Sequence, residues 1–451
     1  MKHHIALLFT SYIFFTSSSC TPDLKVPKPD PGTADFSKTI AIGGNYMAGY
    51  QDGALYQKGQ LLCIPALLAQ QFKTVGGHLF NQALMPDDNG LGLNPKPWQS
   101  VFLSRFHLGY KTDCLGVTSL TPYNDSIPIG SASPYLTGIA GNSIQNLSVP
   151  FANTSDYFNP ALGLSFSSGN PDPYYNRIAS NPGVSTLFND AKAQDATFVS
   201  AWLGMENIYN SAARGTNLGI PSSSAFASDL DVILGGLTTN GAKGVIATIP
   251  GLRSYPYYTL VPWDNAVVTQ IQADSLNYVY DTLSGLHQIH FRKGRNGFVI
   301  NDPAAPGGLR QLHNGEFITL SVPLDSMKCY KYGLLSGTIN KRYVLDSGEV
   351  AAIDQAINDY NTVIIQKAAQ YNLALADMNA YFDEVKKGIK SNGVDFNADF
   401  VTGGFFSLDG YHPNQKGYAL IANEFIKAIN NKYNAAIPEV NCTECDGVIF
   451  P

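Results

Sequence analysis

Residues 39–49 read Thr39-Ile40-Ala41-Ile42-Gly43-Gly44-Asn45-Tyr46-Met47-Ala48-Gly49, a short apolar run that stops at paired glycines. Such a run, bounded by glycine, reads as a buried strand entering a tight turn. The same grammar returns at Thr197 to Leu203, which stops at Gly204, and at Gly244 to Ile249, which stops at Pro250. Helical spacing fills the intervals. Leu61 to Phe72 reads as a helix with Pro65 tolerable only near its beginning. Ser222 can cap a helix whose apolar face is Phe226, Leu230, Ile233, Leu234 and Leu237. Glu349 to Tyr371 is the longest helical pattern, with Val350, Ile353, Ile357, Tyr360 and Ile364 on one side, and Leu373 to Ala376 follows as a strand. A last helix starts just after His412 and runs to about Tyr433, packing through Leu420, Ile421, Phe425, Ile426 and Ile429. Strands alternating with helices predict an α/β domain with a mainly parallel sheet. Ligand sites in such sheets lie beyond the C-terminal strand ends, so the turns after Ile42 and Leu203 should open onto one crevice.

Two stretches break the alternation. Residues 76–143 and 290–343 are rich in Gly, Pro and Asn with scattered aromatics, and are expected to be insertions over the active-site end of the sheet within one domain spanning 36–451. With 451 residues, 44% of them apolar, the chain can bury a large core. Charged residues make up 14%, well under the roughly 25% of an average domain, and the net charge is −6. That balance excludes nucleic acid as a partner.

The chain begins with Lys2, an apolar run through Phe15, and Ser17-Ser18-Ser19 before Cys20. The run is shorter than the roughly 20 apolar residues of a membrane span, and it has the layout of an export signal. Small residues leading into a single cysteine resemble a bacterial lipoprotein signal. That resemblance implies a signal peptide over 1–19, lipid attachment at Cys20, a membrane lipid as partner, and an exported envelope protein, expected at the outer membrane. Residues 20–35, with Pro27, Pro29 and Pro31, read as a stiff tether. Five further cysteines follow, and export permits disulfides. Cys442-x-x-Cys445 lacks a second pair or histidines at zinc spacing, so a local disulfide or two free thiols is expected there and no metal.

Asp409-Gly410-Tyr411-His412-Pro413 carries an Asp-x-x-His pair, which in a Ser-His-Asp site supplies the base and the carboxylate that orients it. The order of motifs resembles the SGNH, or GDSL-like, hydrolase family, and within it the exported lipoprotein branch of Bacteroidetes type. The likeness runs from about Phe36 to Pro451 through the first turn, Ala48 to Tyr56, Asn146 to Phe151, Gly204-Met205-Glu206-Asn207, Tyr343 to Asp346 and Phe406 to Pro413. It implies a three-layer α/β/α, flavodoxin-like fold and hydrolysis of acyl or acetyl esters by a serine, with no metal or cofactor. Placed on this sequence, the family pattern keeps Asp409 and His412 but puts Asn45 at the nucleophile, Phe151 at an oxyanion glycine and Glu206 at an oxyanion asparagine. An amide has no hydroxyl proton to give. The Phe151 ring is expected to crowd a tetrahedral intermediate, and the Glu206 carboxylate to repel its charge. Ser148, or a water activated by Glu206 with His412, could stand in for the serine. Tyr46, Tyr411 and Phe151 are expected to pack or to floor a ligand. Three functions are open at this point: an impaired esterase homologue that binds a carbohydrate or acylated small molecule, an active esterase with a displaced nucleophile, and a structural or partner-binding envelope lipoprotein.

Overall fold

The computed structural model describes residues 28–93, 101–139, 144–166, 173–283, 285–335 and 337–451. The signal at 1–19 and the attachment residue Cys20 lie outside them. Four strands build the main sheet: β1 (Thr39–Gly43), β2 (Phe198–Trp202), β3 (Lys243–Ala247) and β4 (Ala374–Ala376). All pair in parallel, in the spatial order β1-β2-β3-β4. Residues 145–149 extend the sheet on the free side of β1. Ala41 N–H donates to Gln145 O at 2.9 Å, Leu147 N–H to Ala41 O at 2.9 Å, and Val149 N–H to Gly43 O at 3.0 Å. With that segment counted, the order across the sheet is second, first, third, fourth, fifth in the chain, the flavodoxin-like arrangement. The chain reverses direction across the sheet at β1, and the crevice of such folds opens there.

Helices cover both faces. On one side α2 (Ile64–Phe72) packs on the last helix, α6 (Gln415–Tyr433), which also lies on β3 and β4. On the other, α3 (Met205–Ala212) and α4 (Ser223–Thr238) pack on α5 (Ser347–Gln370). The stripes read from the sequence are the buried ones: Phe226, Leu230, Ile233, Leu234 and Leu237 on α4, and Val350, Ile353, Ile357, Tyr360 and Ile364 on α5. The rings of Phe226 and Tyr360 stack at 4.0 Å and join the two helices. The Ser222 side chain accepts from Ala225 N–H at 3.2 Å, as a cap should. Two boundaries differ from expectation. Helix α2 starts at Ile64, because Pro65 belongs in its first turn. Pro413 lies before α6, whose cap is Asn414 with its side chain accepting from Gly417 N–H at 3.0 Å.

A one-turn helix, α1 (Asn45–Ala48), follows β1 directly. The first irregular stretch contains a hairpin, His107–Thr112 against Thr118–Tyr123. The small elements of the second begin before His290, and Ala266, Phe298, Ile300, Leu312, Ile318, Val322, Ile339 and Val344 form an apolar cluster of their own. A disulfide joins Cys114 of the first stretch to Cys329 of the second, with a Cα–Cα distance of 5.9 Å. Cys63, Cys442 and Cys445 are free and buried, so Cys442-x-x-Cys445 holds two thiols and no bridge. Among the described residues no helix is long and apolar enough to cross a membrane.

Candidate active site

The loop before α6 folds back on itself. Ser407 N–H donates to His412 O at 2.8 Å, and Gly410 N–H to Ser407 O at 3.0 Å. This brings the predicted pair together: His412 Nδ1 lies 2.8 Å from Asp409 Oδ2. The carboxylate has further partners in the N–H groups of Tyr411 at 2.9 Å, His412 at 2.8 Å and Gly53 at 2.8 Å. Burial disfavours its ionised form, but the His412 ring and the Tyr411 and His412 N–H groups outweigh that and hold the carboxyl below its ordinary value. A carboxylate so held fixes the imidazole in orientation, the task the family pattern assigns to it.

The other half of the site is closed. Asn45 stands at the β1–α1 junction, 5% exposed, and its side-chain Oδ1 accepts from Phe151 N–H at 2.8 Å. Its own N–H donates to Glu206 Oε1 at 2.8 Å. Both backbone donors bordering the nucleophile position are therefore consumed within the protein. Phe151 keeps a left-handed backbone, φ 64°, a conformation that suits glycine and costs another residue about 1 kcal/mol or more. Its carbonyl accepts from Asn210 Nδ2 at 2.8 Å, which helps hold that shape. The Phe151 ring meets the Tyr50 ring edge-on at 5.1 Å, and Tyr50 in turn lies 5.0 Å from the His412 ring. The Phe151 N–H also bears on the site, through Asn45 Oδ1.

Glu206 sits in the first turn of α3, fully buried, and burial pushes its carboxyl up to about 7 against the opposing hydrogen bond from Asn45 N–H. Gly44 makes room for it: a β-carbon there would lie 1.9 Å from the carboxyl carbon. The expected repulsion of an oxyanion thus takes a more direct form, since the carboxylate oxygen occupies the Asn45 amide proton. Asn207, next in the motif, is structural, donating through Nδ2 to Thr154 Oγ1 at 3.0 Å and accepting Thr154 N–H at 3.1 Å.

His412 is packed among rings, with Tyr411 at 4.6 Å, Tyr50 at 5.0 Å and Tyr46 at 5.6 Å between centroids. Tyr46 is buried and donates to Tyr411 O at 2.7 Å, so it packs and does not floor a ligand site. The far nitrogen of the imidazole, Nε2, is shielded from solvent and has no hydrogen-bond partner. Ser148 Oγ is likewise buried without a partner, so the two are not bonded to each other. Glu206 faces Asn45 and makes no bond to the imidazole. Among the described residues no group of three or more His, Cys, Asp or Glu side chains is placed to hold a metal.

One contributor escaped the sequence reading. Asp52, buried and at φ 53°, accepts Leu408 N–H at 2.9 Å and Tyr56 OH at 2.8 Å, while its own N–H donates to Ser407 Oγ at 3.0 Å. It clamps the segment carrying Asp409 to the one carrying Gly53. Burial pushes it up to about 6 against the Leu408 N–H, and the nearby Asp409 carboxylate adds to the rise. The signal lay in Asp52-Gly53 with Tyr56 four residues on, a turn pair beside a phenol donor.

The sheet order is flavodoxin-like, and the motif segments sit around its switch point. A putative GDSL-like lipase from Parabacteroides merdae ATCC 43184 is similar in structure, with a TM-score of 0.36 and 10% identity over 89% of this chain and 99% of that one. An extracellular lipase from Streptomyces rimosus gives a TM-score of 0.31 and 12% identity over 88% and 98%. No family model matches the chain, and no curated protein matches it. Similarity at this level says nothing about chemistry, which rests on the side chains described above.

Proposed function

We propose that this protein is an SGNH-like hydrolase scaffold without ester hydrolysis, working in the cell envelope as a lipid-anchored protein. One observation carries the reading: Asn45 Oδ1 accepts Phe151 N–H, so the position of the attacking group and a donor for the oxyanion satisfy each other. A substrate carbonyl would have to break that bond, expose His412 Nε2, and then find no hydroxyl to attack it. Loss of a triad member removes up to about a millionfold in turnover, and the residual rate depends on the oxyanion hole. Here that hole is internally bonded. A carbohydrate or acylated ligand, if this scaffold takes one, binds away from the shielded imidazole. Purified mature protein is expected to hydrolyse short acyl esters no faster than its His412→Ala variant. Turnover well above that control would overturn the reading.

Anchoring rests on the Ser17-Ser18-Ser19-Cys20 junction. Metabolic labelling with an alkyne fatty acid should mark the wild-type chain and leave Cys20→Ser unlabelled. Equal labelling of both would remove Cys20 as the attachment residue.

A further inference from the structure

Arg177 is 4% exposed, and among the described residues no carboxylate pairs with it. Its Nη1 donates to Ala83 O at 3.2 Å and its Nη2 to Leu84 O at 3.0 Å, while Nε is buried without a partner. Burial pulls the guanidinium down to about 10, and the nearby Tyr174 phenol offsets this only in part. An unpaired buried charge is among the most costly features a fold can hold, and two backbone carbonyls do not neutralise it. The Arg177 side chain borders a cavity of about 20 Å³, shared with Ser148, Asn146, Tyr174 and Pro150. Ser148 Oγ is the other polar side-chain atom of that wall left buried and unpartnered. One water needs roughly 10–15 Å³ measured this way. The space therefore suits a particle of one or two heavy atoms, too small for phosphate or sulfate.

We infer that Arg177 and Ser148 form a binding site for one small monovalent anion, of halide size, held by the guanidinium Nε–H and the serine hydroxyl. A water could take the two hydrogen bonds but would leave the charge uncompensated. The position matters for the fold: Ser148 N–H donates to Asn146 Oδ1 at 3.2 Å, three residues before Phe151. A bound anion would brace the segment that presents Phe151 N–H to Asn45. This inference does not depend on whether the protein hydrolyses esters.

The test titrates mature protein with sodium bromide or sodium chloride against sodium gluconate at constant ionic strength and follows thermal unfolding. Gluconate is too large for the cavity. A site that binds only the folded state gives a saturable rise in Tm, expected at about 2 °C or more, in at least one small-anion series. Arg177→Met should lose it, and Ser148→Ala should need about tenfold more salt for the same rise. A crystal soaked in bromide should show an anomalous peak within hydrogen-bond reach of Arg177 Nε and Ser148 Oγ, a readout that needs no variant to fold. A water or an empty cavity at high bromide, or a Tm response unchanged in Arg177→Met, would overturn the inference.

Discussion

A β-carbon at position 44 would meet the Glu206 carboxyl oxygen at 2.0 Å and its carbon at 1.9 Å, so the glycine and the acid are fitted to each other. Gly44→Ala should lower stability by about 1–3 kcal/mol, the usual range for overpacking. In a Glu206→Ala background the same substitution should cost much less. Denaturant titration of the four proteins of this cycle measures the coupling, and additive losses would show that the two positions do not share the space. At this scale the sequence singled out residues that do meet: Asn45 bonds both Phe151 and Glu206. What was hidden is their mutual bonding. Asn45 and Phe151 lie 106 positions apart, and the amide-to-N–H bond that closes the site exists only once the sheet has formed.

The elements that carry the site also give it a pH signature. Glu206, at the start of α3, is pushed up to about 7 by burial, above its unfolded value of 4.5. Folding then favours the protonated acid, so its contribution is complete below about 4.5 and is lost as pH rises through about 7. The swing is on the order of 3 kcal/mol for a fully buried group. Glu206→Gln should flatten the decline in stability between pH 4.5 and 7, and chemical denaturation at several pH values reads the difference from wild type. An identical slope in the variant would mean that the acid is not buried in this way. Asp52, pushed up to about 6, contributes in the same direction, while Asp409, held low, contributes stability that is lost only as pH falls below its unfolded value. Periodicity made α4, α5 and α6 legible because each buries a regular stripe. The edge segment at 145–149 was not, since Asn146-Leu147-Ser148-Val149-Pro150 is short and ends in a residue that cannot extend a ladder. Its strand character comes from β1 alone.

Across the whole molecule, the two irregular stretches do more than decorate the sheet. Phe106 N–H donates to Asp52 O at 2.6 Å, and Tyr257 N–H to Gly410 O at 2.8 Å with Leu320 N–H on Tyr257 O at 2.8 Å, so chain from or beside each stretch bears on the Asp409 loop. Cys114–Cys329 then ties one stretch to the other across 215 residues, and a loop of that length is where a crosslink restricts the unfolded chain most. The sequence showed that cysteines were available but not which would meet, because pairing is set by how the insertions fold and not by spacing. The Asp409–His412 pair is bonded and its Nε2 is shielded, and on the proposed reading the scaffold stands without the chemistry. Treatment of the wild-type protein and of Asn45→Ser/Phe151→Gly/Glu206→Asn with a phosphonate ester probe, read by peptide mass spectrometry, tests this most directly. The account predicts no adduct on the wild type and an adduct at position 45 of the triple variant; a His412-dependent adduct on any serine of the wild type would contradict it.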